Sequence, residues 1–181
     1  MKRLFFGLEL PASIRDGLAE LELPMKGARK VAAAQIHLTM SFLGDVDSDA
    51  EERLRGALEV MRVPGAFFLP VTGMGVFGGD WPKVVWAGVG KGHPHLFALH
   101  HHLQDAVLQA GLEPDLKPFH PHITIARLRD VSRSALKPFL RAYEDKEFGL
   151  WKVTEVVLFS SVLSPQGATH TVGMRRELPS G

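Results

Sequence analysis

The chain has 181 residues, and 45% of them are hydrophobic, which is enough for the core of one domain or of two closely joined lobes. Lys and Arg number 21 and Asp and Glu number 20, so the formal charge is +1. That balance argues against a protein that binds nucleic acid mainly by charge, although it leaves room for a few local contacts. The absence of cysteine excludes disulfide bonds and thiolate chemistry.

The N-terminal stretch MKRLFFGLELP is basic and then apolar, like a signal peptide, but its apolar part is short and contains Glu9. We interpret residues 3–10 as a first strand, with one apolar face made of Leu4, Phe6, Leu8 and Leu10. No apolar run approaches the roughly 18 residues that a bilayer-spanning helix needs. We therefore expect a cytoplasmic protein without a membrane partner.

A helix, a connector and a second strand follow. Pro11 suits the first turn of a helix whose apolar positions are Ile14, Leu18 and Leu21. The stretch LPMKGARKVAAA is typical of a mobile connector, and it carries the basic residues Lys26, Arg29 and Lys30. The alternation of apolar and polar residues then predicts a strand over residues 35–43.

The middle of the chain predicts two helices around a glycine-punctuated β region. Ser48 and Glu51 have the spacing of a capping box, which would begin a helix with apolar positions Leu54, Ala57, Leu58 and Met61. Residues 67–90 predict two strands around a turn near Gly78–Pro82. A second helix runs from Leu96 to Ala110, where Gly111 is suited to cap it.

The last third predicts a strand over residues 119–127, a short helix in SRSALKPFLRAY that Pro138 weakens or kinks, and two closing strands. The closing strands are WKVTEVVLFSSVL and THTVGMRREL. Strands and helices are mixed along the chain, which indicates an α+β fold.

Two strands carry the same H-x-T pattern, about half the chain apart. The first has His37 and Thr39, and the second has His122 and Thr124. Because side chains on a strand alternate between faces, each histidine shares a face with its threonine. The repetition predicts a single domain over residues 1–181, made of two similar lobes that each contribute one H-x-T strand.

Two imidazoles on opposite sides of one phosphorus atom could perform acid and base catalysis together. One would accept a proton from the attacking oxygen and the other would donate a proton to the leaving oxygen. For that arrangement the ring nitrogens should lie roughly 5–8 Å apart. The threonine hydroxyls could donate hydrogen bonds to the non-bridging phosphate oxygens, and no metal or other cofactor is required.

Other interpretations of the histidines remain open. A single H-x-T strand is ordinarily a partly buried histidine with a structural hydrogen bond. His120 and His122 lie on one strand face and could hold zinc if His37 supplied a third ligand. In the run His100–His102, consecutive side chains point in different directions on a helix, so we expect His100 half-buried and the other two solvated.

The motifs HLTMSFLG and FHPHITIAR closely resemble the paired signatures of the 2H phosphoesterase superfamily, and RLFFGLELP, WPKVVWAGV and SVLSPQGATHTV fit the same pattern. Within the superfamily, the chain is most similar to the bacterial and archaeal RNA 2',3'-cyclic phosphodiesterases, also called 2'-5' RNA ligases. The resemblance implies a bilobal, pseudo-symmetric α+β fold, with two antiparallel sheets lining a central cleft and helices outside. It also implies metal-independent hydrolysis of an RNA 2',3'-cyclic phosphate to a 2'-phosphate, and the reverse joining of RNA ends by a 2'-5' bond.

The resemblance further implies roles for individual residues. His37 would be the proton donor and His122 the proton acceptor. Thr39, Thr124 and Arg127 would bind phosphate. The expected partners are RNA ends with a 2',3'-cyclic phosphate, tRNA fragments among them, and we expect a monomer. The chain departs from the family pattern at His170, where the family often has tyrosine or another aromatic residue.

An RNA end needs at least one surface on which a base can stack. Phe42 and Phe119 flank the two motifs and are our candidates for stacking. Two other functions remain open: a binding module for RNA or nucleotides without turnover, and an enzyme of the same superfamily that acts on small cyclic nucleotides.

Overall fold

The computed structural model describes residues 1–180 and contains ten strands and four α-helices. The strands are β1 (Lys2–Glu9), β2 (Ala28–Lys30), β3 (His37–Val46), β4 (Phe67–Thr72), β5 (Met74–Phe77), β6 (Val84–Ala87), β7 (Ile123–Leu128), β8 (Glu147–Val153), β9 (Glu155–Ser164) and β10 (Gly167–Glu177). The helices are α1 (Ala12–Ala19), α2 (Ser48–Val60), α3 (Pro94–Gln109) and α4 (Arg133–Ala142).

Eight strands form one sheet in the order β10-β9-β1-β3-β7-β6-β5, with β2 also paired to β7. Strands β4 and β8 form a second, two-stranded sheet, and all named strand pairs are antiparallel. The α+β class and the antiparallel sheets expected from the sequence are confirmed. The division into two similar lobes stays a prediction.

The core lies on one face of the large sheet, between the strands and the helices. In β1 the apolar face predicted from the sequence is fully buried, with Phe6 and Leu8 at 0% exposure. Residues Leu54 and Leu58 of α2 and Leu99 and Leu103 of α3 join the same core. The helical spacing of these leucines is therefore explained by packing onto the sheet.

Two predictions about helix ends have different outcomes. Asp47, and not Ser48, caps α2, because its carboxylate accepts a hydrogen bond from the Ala50 amide at 2.8 Å. Glu51 binds Lys2 and Arg55 and closes no capping box. At the end of α3, Gly111 has φ of 76°, as expected of a glycine after a helix.

The other differences between the structure and the sequence-based predictions concern strands. The supposed connector contains β2, a three-residue strand that pairs with β7. Residues 67–90 form three strands where two were expected, and residues 119–122 precede β7 instead of belonging to it. The stretch WKVTEVVLFSSVL is divided between β8 and β9 at Thr154. Pro138 lies inside α4 without ending it.

In the part of the chain from residue 1 to residue 180, none of the helices combines the length and the apolar character needed to cross a bilayer.

Candidate active site

The two H-x-T strands are neighbours in the large sheet and meet at a single paired position. Leu38 of β3 is the register partner of Ile123 of β7, and both side chains are buried in the core. The two residues on either side of Leu38 are His37 and Thr39, so they point to the opposite face. On β7, Ile123 is flanked in the same way by His122 and Thr124. The sheet therefore presents both pairs on the face away from the core.

His37 is held by hydrogen bonds at both ring nitrogens. Its Nδ1 lies 2.8 Å from the carbonyl oxygen of Gln35, and its Nε2 lies 2.9 Å from the hydroxyl of Thr39. A carbonyl only accepts, so Nδ1 carries the proton and donates it to Gln35. In the neutral ring Nε2 then accepts from the Thr39 hydroxyl.

His122 repeats the first of these contacts. Its Nδ1 lies 2.6 Å from the carbonyl oxygen of His120, again two residues earlier in the chain. The same argument assigns the proton to Nδ1. Among residues 1–180, Nε2 of His122 has no hydrogen-bond partner, so this nitrogen is available to a substrate.

Burial favours the neutral form of both imidazoles. Burial, with smaller effects from the nearby His170 and His122, lowers the pKa of His37 to about 4, against the opposite effect of the hydrogen bond to Gln35. Burial also lowers the pKa of His122, although its bond to the His120 carbonyl acts in the other direction.

A small apolar cluster, separate from the main core, forms the floor beneath His37. It consists of Phe5, Val157 and Phe159, and all three are buried. The ring of Phe5 lies 4.9 Å from that of His37. Gly7 faces the same site, and a Cβ there would lie only 3.4 Å from Cδ2 of His37. The absence of a side chain at Gly7 thus makes room for the imidazole.

His170 is a third imidazole in the site. Its ring lies 4.9 Å from His37 at an angle of 89°, and its amide donates to the Oε1 of Gln35 at 2.7 Å. Its Nδ1 is buried without a hydrogen-bond partner among residues 1–180. Burial lowers the pKa of His170. Sequence reasoning noted this residue only as a departure from the family pattern, because its contact with His37 depends on the tertiary position of β10, which is separated from β3 in the sheet by β9 and β1.

The surroundings of His122 are aromatic as well. The ring of Phe77 lies 4.7 Å from His122 in an edge-on arrangement, and Trp86 lies at 6.5 Å. Phe77 is 37% exposed, so part of its ring is free to meet a ligand. The position of Phe77 in the sequence gave no sign of this role, since it precedes a turn and β5 pairs only with β6.

β-Bulges place the next two candidate residues on the site face. Phe42 is paired with Phe5 because the register between β1 and β3 skips a residue after Thr39. The register between β6 and β7 skips a residue in the same way after Thr124, and Arg127 therefore lies on the same face of the sheet as Thr124. The residues from His37 to Phe42 and from His122 to Arg127 consequently share one burial pattern, which ends in an exposed residue.

Phe42 and Phe119 differ in their surroundings. Phe42 is 63% exposed, and its ring lies 6.0 Å from Phe5 in the floor of the site. Phe119 is half-buried and stacks on His100 of α3, with ring centroids 4.1 Å apart. Of the other two histidines in that run, His101 is exposed and His102 is half-buried, so the expectation that both are solvated holds only for His101.

Two further properties of the described residues bear on ligands. Within residues 1–180, no three His, Cys, Asp or Glu side chains come together in a way that could hold a metal ion. A cavity of about 660 Å³ lies between the segment before β2 and α4, and neither His37 nor His122 lines it.

The sequence of this chain is similar to those of known proteins. A model of the 2'-5' RNA ligase superfamily matches residues 10–163. A protein of Escherichia coli named RNA 2',3'-cyclic phosphodiesterase is 35% identical over 158 residues, which cover 83% of this chain and 86% of the relative. A protein of the same name from Aeropyrum pernix is 32% identical and covers 88% of this chain and 89% of the relative.

Solved structures agree with these matches. The structure of E. coli LigT in complex with 3'-AMP has a TM-score of 0.81 and 31% sequence identity, with 98% of each chain covered. The structure of TT0787 from Thermus thermophilus also has a TM-score of 0.81, at 27% identity, with 98% of each chain covered.

Proposed function

Since the chain belongs to the 2'-5' RNA ligase superfamily, we propose that it hydrolyses the 2',3'-cyclic phosphate of RNA ends to a 2'-phosphate without a metal ion. The observation that carries this proposal is the pair of adjacent H-x-T strands, each with an imidazole anchored through Nδ1 to a carbonyl two residues earlier. This anchoring supports an arrangement in which both Nε2 atoms serve one phosphate. The names of the relatives from E. coli and A. pernix support the choice of substrate.

In the proposed reaction, Nε2 of His122 removes a proton from water as the water oxygen attacks phosphorus. The bond between phosphorus and O3' breaks, and His37 gives a proton from Nε2 to O3'. The products are a 2'-phosphate and a free 3'-hydroxyl. The two histidines exchange protons with water before the next turnover. In the ligation reaction a 5'-hydroxyl of RNA takes the place of water: His122 removes its proton, the bond between phosphorus and O3' breaks, and His37 protonates O3', which leaves a 2'-5' bond and a free 3'-hydroxyl.

The role of His37 as the donor requires its pKa to rise when substrate binds. Burial lowers that pKa to about 4 in the free protein, so the ring is neutral near pH 7. The negative charge of a bound phosphate favours the protonated ring and would raise the pKa. On protonation, Nε2 becomes a donor and no longer accepts from Thr39, which frees the threonine hydroxyl to donate to the phosphate.

We assign the remaining candidate residues to substrate binding. Thr39 and Thr124 donate hydrogen bonds to the non-bridging oxygens of the reactive phosphate. Arg127 supplies positive charge farther along the same face. Phe42 offers an exposed ring on which a base can stack, and Phe119 is the weaker stacking candidate because His100 already covers one face of its ring.

The experiment uses an RNA oligonucleotide that ends in a 2',3'-cyclic phosphate, incubated with the protein in EDTA. We expect conversion to a 2'-phosphate end, identified by mass and by resistance to an enzyme specific for 3'-phosphates. His37→Ala and His122→Ala should each lower kcat about a thousandfold. His101→Ala removes an exposed histidine of α3 and serves as the matched control. Full activity in either active-site variant would refute the proposal, and binding without conversion by the wild type would favour a binding module.

We also propose that the protein acts as a monomer in the cytoplasm, on RNA ends that include those of tRNA fragments. The support for a monomer is that one chain supplies both H-x-T strands and both aromatic surrounds. Light scattering during size exclusion should give the mass of one chain, close to 19.9 kDa. Activity that falls more steeply than linearly on dilution would contradict a functional monomer.

A further inference from the structure

We propose that Arg29 and Arg127 form a second anion subsite, which binds a phosphate of the substrate other than the one between the two H-x-T strands. This inference rests on the proposed function, because it concerns the same substrate. It predicts that the protein prefers substrates with a second phosphate over a cyclic mononucleotide that has only one.

The register of β2 and β7 brings the two guanidinium-bearing side chains together. Arg29 is the direct partner of Arg127 in this antiparallel pair, and both residues are exposed. Directly opposite residues in an antiparallel pair point to the same face, with Cβ atoms about 5 Å apart. The two arginines are therefore neighbours on one face of the sheet.

That face is the face of the active site. On β6, Val84 is paired with Arg127 and Trp86 is paired with Thr124. Val84 and Trp86 are two residues apart and share a face, so Arg127 shares the face of Thr124. The contact between Trp86 and His122 identifies this as the side on which the imidazoles lie.

The strand order places Arg29 where β3 and β7 separate. One edge of β7 is occupied by β6. The other edge pairs with β3 only at Ile123 and then with β2 over residues 126–128. Arg29 thus lies on the edge of β7 that faces β3, beyond the point where the two H-x-T strands stop pairing.

The charges of this pair are not balanced by carboxylates. Like charges directly opposite each other across two strands are unfavourable. Among residues 1–180, neither Arg29 nor Arg127 forms an ion pair, although arginines elsewhere in the chain do. Arg29 instead donates to the neutral carbonyl of Gln166 in the turn between β9 and β10, and this contact orients its guanidinium. A phosphate bound between the two arginines would relieve the repulsion, and guanidinium groups match its geometry.

The spacing along β7 indicates a second phosphate. Because the bulge absorbs one residue, Arg127 lies one two-residue strand repeat beyond Thr124, which corresponds to roughly 7 Å. The guanidinium of Arg29 contacts the turn at Pro165 and Gln166, which connects β9 to β10. The pair is therefore placed to contact a phosphate that flanks the one held by the threonines.

Three substrates and two variants test this subsite. The substrates are a 2',3'-cyclic mononucleotide with a 5'-hydroxyl, the same nucleotide with a 5'-phosphate, and a trinucleotide with a cyclic phosphate end. Arg29→Gln removes one charge of the subsite. Arg62→Gln removes the charge of an exposed arginine that follows α2 and is the matched control.

We expect Arg29→Gln to lower kcat/KM on the trinucleotide about tenfold, the effect of losing one hydrogen-bonded charge pair. On the mononucleotide that has one phosphate, Arg29→Gln should lower kcat/KM by no more than about twofold. An equally large loss on the 5'-phosphorylated mononucleotide would assign the subsite to a terminal phosphate, and a loss confined to the trinucleotide would assign it to an internal phosphodiester. Equal losses on all three substrates, or no loss relative to Arg62→Gln, would overturn the proposal.

A binding measurement separates failure of this inference from failure of the proposed function. The dissociation constant of a labelled trinucleotide with a 2'-phosphate end is measured between about 50 and 200 mM salt. Arg29→Gln should weaken binding and reduce the slope of log Kd against log salt by about 0.7. This result is expected even if no substrate is hydrolysed. Circular dichroism of each variant checks folding, and Arg29→Lys, which keeps the charge, should recover most of the salt slope.

Discussion

Each histidine of the two H-x-T motifs donates its Nδ1 proton to the carbonyl two residues before it, which leaves Nε2 for the proposed chemistry. The two rings differ in their other contacts. Nε2 of His37 already meets the Thr39 hydroxyl and lies over a buried aromatic floor, whereas Nε2 of His122 is free among the described residues. Because their burial and hydrogen bonding differ, two histidines in equivalent motifs could serve one as proton donor and the other as proton acceptor.

The pH dependence of activity follows from the burial of both rings. The proposed mechanism needs one protonated and one neutral imidazole, and burial lowers the pKa of His37 to about 4 and lowers that of His122. We therefore expect kcat/KM, which reports the free enzyme, to be bell-shaped with its maximum below the usual imidazole pKa of about 6.5. Initial rates at constant ionic strength between about pH 3.5 and 8.5 give this profile. A plateau that continues above pH 7.5 would contradict the paired mechanism.

The threonine hydroxyls can be tested with substitutions that keep the shape of the side chain. Thr39→Val and Thr124→Val remove a donor to the charge that develops on phosphate, and each should lower kcat about a hundredfold. Thr39→Ser and Thr124→Ser keep the hydroxyl and should lose much less. Single-turnover rates at saturating substrate measure the effect on the chemical step. A loss in the serine variants as large as that in the valine variants would contradict the proposed role of the hydroxyl, because serine keeps it.

At the scale of elements, the sequence predicted the parts of the site that depend on strand periodicity alone. Alternation along β3 and β7 was sufficient to place each histidine with its threonine. The bulges after Thr39 and Thr124 could not be predicted, because they depend on the register with neighbouring strands. Strand β2 was missed since its residues Ala28–Lys30 have no apolar alternation.

Residues that reach the site from distant parts of the chain were also beyond sequence reasoning. His170 of β10 contacts His37, and its amide donates a hydrogen bond to the side chain of Gln35, 135 residues earlier in the chain. Phe5 belongs to the buried pattern of β1, yet it faces the site and not the main core. Sequence periodicity identified the face of β1 that packs in the main core, but it did not indicate that the opposite face, which carries Phe5, is also buried and contacts His37.

The packing of β1 against β3 gives a prediction at this scale. A Cβ on Gly7 would meet Phe159 at 3.1 Å, the Leu38 carbonyl at 3.2 Å and His37 at 3.4 Å. Gly7→Ala should therefore displace the imidazole and lower kcat by at least about tenfold, since small misplacements of a catalytic group are costly. The measurement is kcat together with the free energy of unfolding in urea.

Gly17→Ala is the matched control, because a Cβ on this residue of α1 would have no neighbour within 4 Å. It should leave kcat unchanged and stabilise the protein by about 0.5–1 kcal/mol through helix propensity. Unchanged kcat in Gly7→Ala would show that the floor of the site can yield without moving His37.

For the whole molecule, burying neutral histidines links the stability of the fold to pH. Burial lowers the pKa values of His37, His100, His122 and His170 below the value of an unfolded chain. Between about pH 6.5 and pH 4 the unfolded state therefore binds more protons than the folded state. The stability that these residues provide is fully present above about pH 6.5 and is lost as the pH falls through this window.

A second loss of stability on acidification follows from Glu51. This residue is 6% exposed and links Lys2 at the start of β1 to Arg55 of α2. The hydrogen bonds from Arg55 and Lys2 lower the pKa of Glu51, so its contribution is present above the ordinary carboxyl pKa and disappears at lower pH than that of the histidines. Acidification should thus weaken first the active-site face and then the contact between β1 and α2.

We expect the free energy of unfolding to be nearly constant from about pH 8 to 7 and to fall between about pH 6.5 and 4, with on the order of 3 kcal/mol from His37 alone. Urea denaturation at steps of half a pH unit gives the curve. His37→Ala should flatten it in this window, because an alanine binds no proton in either state, whereas His101→Ala should leave its slope unchanged. If His37→Ala and the wild type lose stability in parallel from pH 6.5 to 4, then His37 is not held neutral by the fold. In that case the acidic optimum of kcat/KM would also lose its physical basis, because both effects arise from the same buried imidazole.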